Sequence, residues 1–228
     1  MIEWESIWQL WLLGVIILIA GIVTWLGRPY ERRRRRGLSK LASELGLHFS
    51  VADPLDLPER LSGFRVFWHG SLNKAVNVLH GEYQGSETIA FDFEYLESGG
   101  RAVFSVCLRP LGCAFPRLTI RPEGVSDKVG KLIGAHDIDF ESDEFSRKFR
   151  VRSDNRKFAY DVCHPRMMAL LLKNPGWSIQ IADGYWALAD GRRWHVADFP
   201  LALALTHNFF ELIPDFVWRE YREKTVES

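Results

Sequence analysis

The sequence predicts an α+β protein: one N-terminal transmembrane helix plus a mainly antiparallel β-sheet domain with flanking short helices and a C-terminal helix. Three features support this prediction: an apolar run at residues 7–26, strand-like alternation between Phe64 and Arg121, and helical spacing of apolar residues in Phe199–Glu223. Hydrophobic residues make up 47% of the chain and charged residues 25%, which is ordinary for a folded protein and argues against a disordered one.

The apolar run contains no charged residue. Its residues would span roughly 30 Å as a helix, the thickness of a bilayer's hydrocarbon core. Trp8 and Trp11 lie near one end and Trp25 near the other, where indole rings favour the headgroup level. Residues 1–27 are therefore predicted to form a transmembrane anchor.

A basic flank, residues 28–36, follows the apolar run. We expect its arginines to contact anionic lipid headgroups and to keep this side of the chain in the cytoplasm. They are Arg32, Arg33, Arg34, Arg35 and Arg36. The prediction is a single-pass protein of the inner membrane, with its N-terminus outside and its C-terminal domain in the cytoplasm. A cleaved signal peptide is the alternative, but it would carry its positive charge before the apolar run.

The charge of the remaining chain argues against a nucleic-acid partner. Residues 41–228 hold more acidic than basic side chains, whereas a nucleic-acid-binding domain carries an excess of positive charge. The three cysteines include no CxxC pair, which favours a reducing compartment over a disulfide framework.

Residues 37–228 are predicted to form one soluble α+β domain. It begins with a short amphipathic helix at Gly37–Gly46, with Ser39 as its cap and Gly46 as its stop. An antiparallel meander is predicted next, because turn residues separate the strand-like runs every eight to twelve residues. These runs are Phe64–Trp68, Ala75–Tyr83, Thr88–Leu96, Ala102–Leu108 and Cys113–Arg121.

The third of these runs shows the clearest alternation. Phe91, Phe93 and Tyr95 alternate with Asp92, Glu94 and Leu96. This is nearly the pattern of a half-buried strand, which would bury the aromatic side chains and expose the carboxylates.

The second half of the domain mixes helices and strands. Asp183-Gly184 predicts a hairpin turn, and Pro214 predicts an interruption in the C-terminal helical region. Short helices are predicted at Val125–Gly134, Phe158–Cys163 and Pro165–Leu172. An extended segment is predicted at Asp137–Phe140, and Glu144–Arg152 alternates apolar residues with charged ones.

Five segments resemble a family of bacterial single-pass membrane proteins that carry a C-terminal domain of unknown function. The segments are Leu41–Leu47, Asn77–Tyr83, Phe91–Tyr95, Asp137–Phe140 and Phe145–Val151. The resemblance implies a bacterial, membrane-anchored protein, and it implies no activity.

The best candidate for a metal site is Asp137, Asp139 and Glu141. On a strand these carboxylates would project to one face and offer oxygen ligands to Mg²⁺ or Ca²⁺. The alternative is a solvated strand face with Ile138 and Phe140 buried opposite.

No catalytic residue or cofactor is predicted. Cys163-His164 could suggest a thiol nucleophile, but adjacent residues seldom bring a thiolate and an imidazole together. The sequence contains no HxH, HExxH or GxSxG motif and no phosphate loop.

Two function classes remain open. The first is a membrane-anchored binding or scaffold module on the cytoplasmic face, with a protein partner and the lipid bilayer as its contacts. The second is a membrane-surface enzyme that depends on a divalent metal held by Asp137, Asp139 and Glu141. Titration of the domain with divalent cations distinguishes the two.

Overall fold

The computed structural model describes residues 4–61, 64, 71–97, 99–124 and 136–226, and the side chains of most of them. The predicted helix at Val125–Gly134 lies outside the described residues, and so does most of the predicted strand at Phe64–Trp68.

The first element, α1, is one helix of 42 residues, Trp4–Leu45. It ends at Gly46, whose φ of 72° is in the left-handed region that favours glycine, so the predicted stop is confirmed. Ser39 lies inside this helix and begins no helix of its own. The predicted boundaries after residues 27 and 36 therefore divide a single continuous element.

The predicted transmembrane anchor is wrong. Among the residues that the structure describes, no helix combines the length and the apolar character needed to cross a bilayer. The apolar run shares one helix with the arginines that follow it. Two further predictions depended on this anchor and are wrong as well: the single-pass topology, and the inner-membrane location with the N-terminus outside and the domain in the cytoplasm.

The described strands form one antiparallel sheet of nine strands in the order β1-β2-β3-β4-β9-β8-β5-β7-β6. Their bounds are β1 His48–Ala52, β2 Ser71–Tyr83, β3 Ser86–Glu97, β4 Gly100–Pro110, β5 Leu118–Pro122, β6 His136–Asp137, β7 Phe149–Ser153, β8 Ser178–Ala182 and β9 Tyr185–Ala189.

The meander is confirmed for β2, β3 and β4 but ends there. β4 pairs with β9, whereas β5 pairs with β7 and β8. The amide of Leu111, just after β4, donates to the carbonyl of Gly184 at 2.8 Å and holds β4 against the β8–β9 hairpin. Alternation identifies a strand but carries no information about its partner, so the sequence could not order these strands.

In the described part of the chain, six further helices pack around the sheet. They are α2 Leu57–Arg60, α3 Asp143–Lys148, α4 Arg156–Val162, α5 Pro165–Lys173, α6 Asp198–Leu212 and α7 Asp215–Val226. The predicted helices corresponding to α4 and α5 are confirmed, and so is the break between α6 and α7 at Pro214. About half of the alternating segment Glu144–Arg152 is helix α3, whose cap Ser142 accepts a hydrogen bond from the amide of Phe145.

Hydrophobic cores lie on both faces of the sheet. The larger contains Leu38 of α1 together with residues of α3 to α7. The smaller packs Phe91 and Phe93 of β3 against Leu57 of α2. Because side chains alternate along β3, Asp92 faces the same side as the larger core and α1.

Candidate functional site

A buried carboxylate, Asp92 on β3, fixes α1 to the sheet. Its side chain is 0% exposed, and Arg34 of α1 binds it with two hydrogen bonds, Nε to Oδ2 at 2.9 Å and Nη2 to Oδ1 at 2.7 Å. Nη1 of Arg34 donates to the backbone carbonyl of Trp194 at 2.5 Å. Such two-point guanidinium–carboxylate contacts are strong and define a single orientation.

Three other side chains complete the contacts of Asp92. Ser105 Oγ donates to Oδ1 at 2.6 Å, and Asn77 Nδ2 donates to Oδ2 at 2.9 Å. Arg193 Nε and Nη2 lie 3.3 and 3.2 Å from Oδ2. Arg193 also binds Glu31 of α1 at two points, 2.5 and 3.0 Å. The network thus balances two arginines against two carboxylates.

The pKa values of this network are shifted in the direction that keeps it charged. Burial alone would raise the pKa of Asp92, but the hydrogen bonds and charge of Arg34, with Ser105 and Asn77, outweigh it and lower that pKa below its ordinary value of 3.8. The hydrogen bonds from Arg193 lower the pKa of Glu31. Burial acts to lower the pKa of Arg193, yet the two carboxylates raise it overall.

The local backbone is adapted to this network. Asn77 has a φ of 54° at a point where the register of β2 shifts against β3, a conformation that asparagine tolerates better than most residues. On α1, a Cβ added at Gly37 would lie 3.1 Å from Cγ2 of Val196, so glycine allows the helix to approach the loop after β9 closely.

The five consecutive arginines of α1 have different environments in the structure. Arg34 is buried, and Leu38 and Ala42 lie four and eight residues further along the same face. The other four arginines, Arg32, Arg33, Arg35 and Arg36, are exposed. Arg34 is therefore part of the interior, whereas contacts of the other arginines with anionic lipid headgroups stay a prediction.

The first part of α1 exposes several apolar side chains. Seven side chains there are between 45% and 70% exposed: Trp8, Trp11, Leu12, Leu13, Val15, Ile16 and Leu18. We call these residues the α1 apolar surface. The side chain of Trp25 is outside the described part. Apolar patches of this kind mark interaction sites on folded proteins.

The predicted metal ligands lie at the end of β6. Asp137 is on this two-residue strand, and its side chain is outside the described part. Asp139 and Glu141 are exposed in the irregular segment that follows, while Ile138 and Phe140 are buried. Since the strand ends at Asp137, strand alternation does not extend to the other two carboxylates. Among the described residues, no group of three or more His, Cys, Asp or Glu side chains could hold a metal ion.

Cys163 and His164 are not arranged as a nucleophile and base. Burial raises the pKa of the Cys163 thiol, which keeps it protonated. His164 Nε2 lies 2.8 Å from the carbonyl of Leu212 and joins the start of α5 to the end of α6. Both residues therefore have structural roles in the fold.

The protein is expected to lose stability in acid through Asp92. A native pKa below the ordinary value means that the stabilisation is complete above about pH 4 and is lost as the pH falls through the native pKa. Urea unfolding at a series of pH values measures this. An Asp92→Asn variant should lose less stability than the wild type over the acid range, and equal losses in both would contradict this assignment.

No family model matches the sequence, and neither does any curated protein. Among solved structures, the fold is similar to the crystal structure of the mycobacterial trehalose monomycolate transport factor A, TtfA. The TM-score is 0.59 at 16% identity, and the match covers 80% of this chain and 95% of that chain. At this identity the likeness shows a common fold alone, an antiparallel sheet with packed helices. The resemblance to a bacterial family rests on the sequence segments alone.

Proposed function

We propose that this protein is a non-catalytic binding module that holds a partner protein through the α1 apolar surface. The observation that supports this most directly is the exposure of seven apolar side chains on one helix, including 70% of Trp8 and 69% of Trp11. Leaving so much apolar area in water is unfavourable, at about 25 cal/mol per Å², so a partner that covers it gains binding free energy.

The attachment of α1 prepares this surface for binding. The Arg34–Asp92 and Arg193–Glu31 contacts hold the helix to the sheet at a point beyond the apolar surface. A helix that is already ordered loses less conformational entropy when it binds than a free segment would. The domain therefore serves as a rigid support for the helix.

The chemistry of the surface indicates the kind of partner. Tryptophan and arginine are the residues most enriched where binding energy concentrates in protein interfaces. Trp8 and Trp11 lie on the apolar surface, and four exposed arginines follow on the same helix. The partner is accordingly a protein with an apolar groove bordered by acidic side chains, which complements both features.

Affinity purification of the full-length chain from its native cells tests this function. The wild type is compared with a Trp8→Glu/Trp11→Glu variant and with Leu201→Glu, a matched control because Leu201 is 63% exposed on α6. We expect one stoichiometric partner with the wild type and the control, and at least a tenfold loss with the double variant, since a carboxylate cannot enter an apolar groove without desolvation.

Recovery of the same proteins in the same amounts from all three baits would contradict the proposal. Circular dichroism of each purified chain verifies that the substitutions leave the fold intact. All three sites are exposed, so changes there are expected to alter stability by less than about 0.5 kcal/mol.

A further inference from the structure

We propose a binding site for one Zn²⁺ ion at the edge of the sheet, formed by His48 of β1 and His80 of β2. β1 is the first strand in the sheet order, and His48 is paired directly with His80 in the antiparallel register. The centres of the two imidazole rings lie 5.6 Å apart, and the ring planes are inclined at 34° to each other. We call these two residues the β1–β2 histidine pair.

The spacing of the two rings suits a tetrahedral metal ion. Two imidazoles bound to one tetrahedral Zn²⁺, with Zn–N distances of about 2.0–2.1 Å, have ring centres about 5.3 Å apart. At the right angles of an octahedral ion with similar bond lengths, the ring centres would be about 4.5 Å apart. The observed separation is closer to the tetrahedral value. Imidazole nitrogen is also a preferred ligand of Zn²⁺, whereas Mg²⁺ and Ca²⁺ prefer oxygen.

The ring nitrogens of both histidines are available to a ligand. His48 is exposed and His80 is half-buried. Within the described part of the chain, neither imidazole forms a hydrogen bond or an ion pair. His164, by contrast, uses Nε2 to contact the carbonyl of Leu212. A metal ion at the β1–β2 histidine pair would therefore displace no protein contact of these nitrogens.

The backbone holds the two histidines opposite each other. Gly81, next to His80, has a φ of 144°, which a residue with a side chain rarely adopts. A Cβ added at Gly81 would lie 3.3 Å from Cδ2 of Leu47, the residue before His48. Glycine thus allows β2 to approach the start of β1 closely, and strand pairing fixes the register of the pair. Ligands that are already in position lose little conformational entropy when they bind an ion.

Water completes the coordination of the ion. Among the described residues, no third His, Cys, Asp or Glu side chain joins the pair in a group that could hold a metal. Glu82 follows His80 by two residues on the same face of β2, and its negative charge favours a cation nearby. The three cysteines are buried and do not compete for the ion. Bound to both rings, Zn²⁺ would link the edge strand β1 to β2.

Calorimetric titration of the full-length protein with Zn²⁺, after purification without a histidine tag, tests this site. Two of the four ligands of a structural zinc site provide roughly half of its binding free energy, so we expect a dissociation constant on the order of 100 μM or below. Mg²⁺ should bind at least tenfold more weakly, because it prefers oxygen ligands. Absence of Zn²⁺ binding in this range, or equal binding of the two ions, would overturn the proposal.

Variants locate the binding at the β1–β2 histidine pair. His48→Asn and His80→Asn are each expected to weaken Zn²⁺ binding at least tenfold, since each removes one of two protein ligands. His195→Asn, at an exposed histidine after β9, is the matched control and should bind as the wild type does. Unchanged binding in both His48→Asn and His80→Asn would overturn the proposal.

A third ligand should strengthen the site. Position 50 lies on the same face of β1 as His48, so Ser50→His would bring another imidazole beside the pair. We expect this variant to bind Zn²⁺ at least tenfold more tightly than the wild type, a gain that a merely damaged strand would not give. Weaker binding by Ser50→His, in a chain with an unchanged circular dichroism spectrum, would contradict the placement of the ion.

This inference is independent of the proposed partner. The Trp8→Glu/Trp11→Glu variant should bind Zn²⁺ as the wild type does, since neither residue belongs to β1 or β2. An ion that binds only the folded chain stabilises it, so Zn²⁺ should raise the Tm of the wild type and of this variant. The same rise in His48→Asn would place the ion elsewhere and overturn the proposal.

Discussion

Asp92→Asn is expected to lower the free energy of unfolding by about 3–5 kcal/mol, the usual cost of removing one partner from a buried ion pair. The substitution keeps the shape of the side chain but removes the charge that Arg34 and Arg193 share. Arg34 is only 3% exposed in its side chain and cannot recover its hydration. Urea unfolding followed by circular dichroism measures the change.

Lys148→Gln is the matched control for this prediction. It removes a charge from an ion pair of similar distance, 2.9 Å to Glu144, in which both side chains are more than half exposed. Solvent screens such pairs, so the expected change is much smaller than that of Asp92→Asn. A loss below about 1 kcal/mol in Asp92→Asn would contradict the central place of this network in the fold.

Trp186→Ala is expected to cost about 3–5 kcal/mol as well, by leaving a cavity between the sheet and α6. Trp186 of β9 is 0% exposed, and its ring centre lies 5.3 and 5.4 Å from those of Phe209 and Phe210. These contacts join the centre of the sheet to α6. Thermal and urea unfolding of the variant give the loss.

Trp186→Phe separates the contribution of ring packing from the cost of the buried indole N–H group. Nε1 of Trp186 is buried with no hydrogen-bond partner among the described residues. Phenylalanine keeps part of the ring and removes this unsatisfied donor, so a smaller loss of under about 2 kcal/mol is expected. Equal losses in the two variants would show that ring packing is not the source of the stability.

Several of the strands and the C-terminal helices could be predicted from the sequence because their signals are local. The Asp183-Gly184 turn and the Pro214 interruption each act within a few residues. The alternation in β3 likewise identified Phe91 and Phe93 as buried, and the structure confirms this.

The same alternation predicted an exposed Asp92, and that prediction was wrong. The sheet is covered on both faces here, and the groups that make burial of this carboxylate tolerable are Arg34 and Arg193, which lie 58 and 101 residues away in the chain. No periodicity connects residues at such separations. The site therefore depends on strand order, which the sequence does not reveal.

Arg34 shows why the run of arginines was misleading. Five identical residues in succession look equivalent, but one helical turn distributes them around the axis at about 100° per residue. Only the position that shares a face with Leu38 and Ala42 is turned towards the sheet. The apolar spacing of Leu38, Leu41, Ala42 and Leu45 could have identified this face if extended back by one turn.

The most direct test of the account is site-specific photo-crosslinking from the α1 apolar surface. A photoreactive amino acid replaces Trp11 in the full-length chain at its native level of expression, and Leu201 serves as the control position because it is similarly exposed. Mass spectrometry identifies the adducts. The account predicts one protein adduct from position 11 and none from position 201. Adducts to lipid alone, or the same adducts from both positions, would contradict a protein partner at this surface.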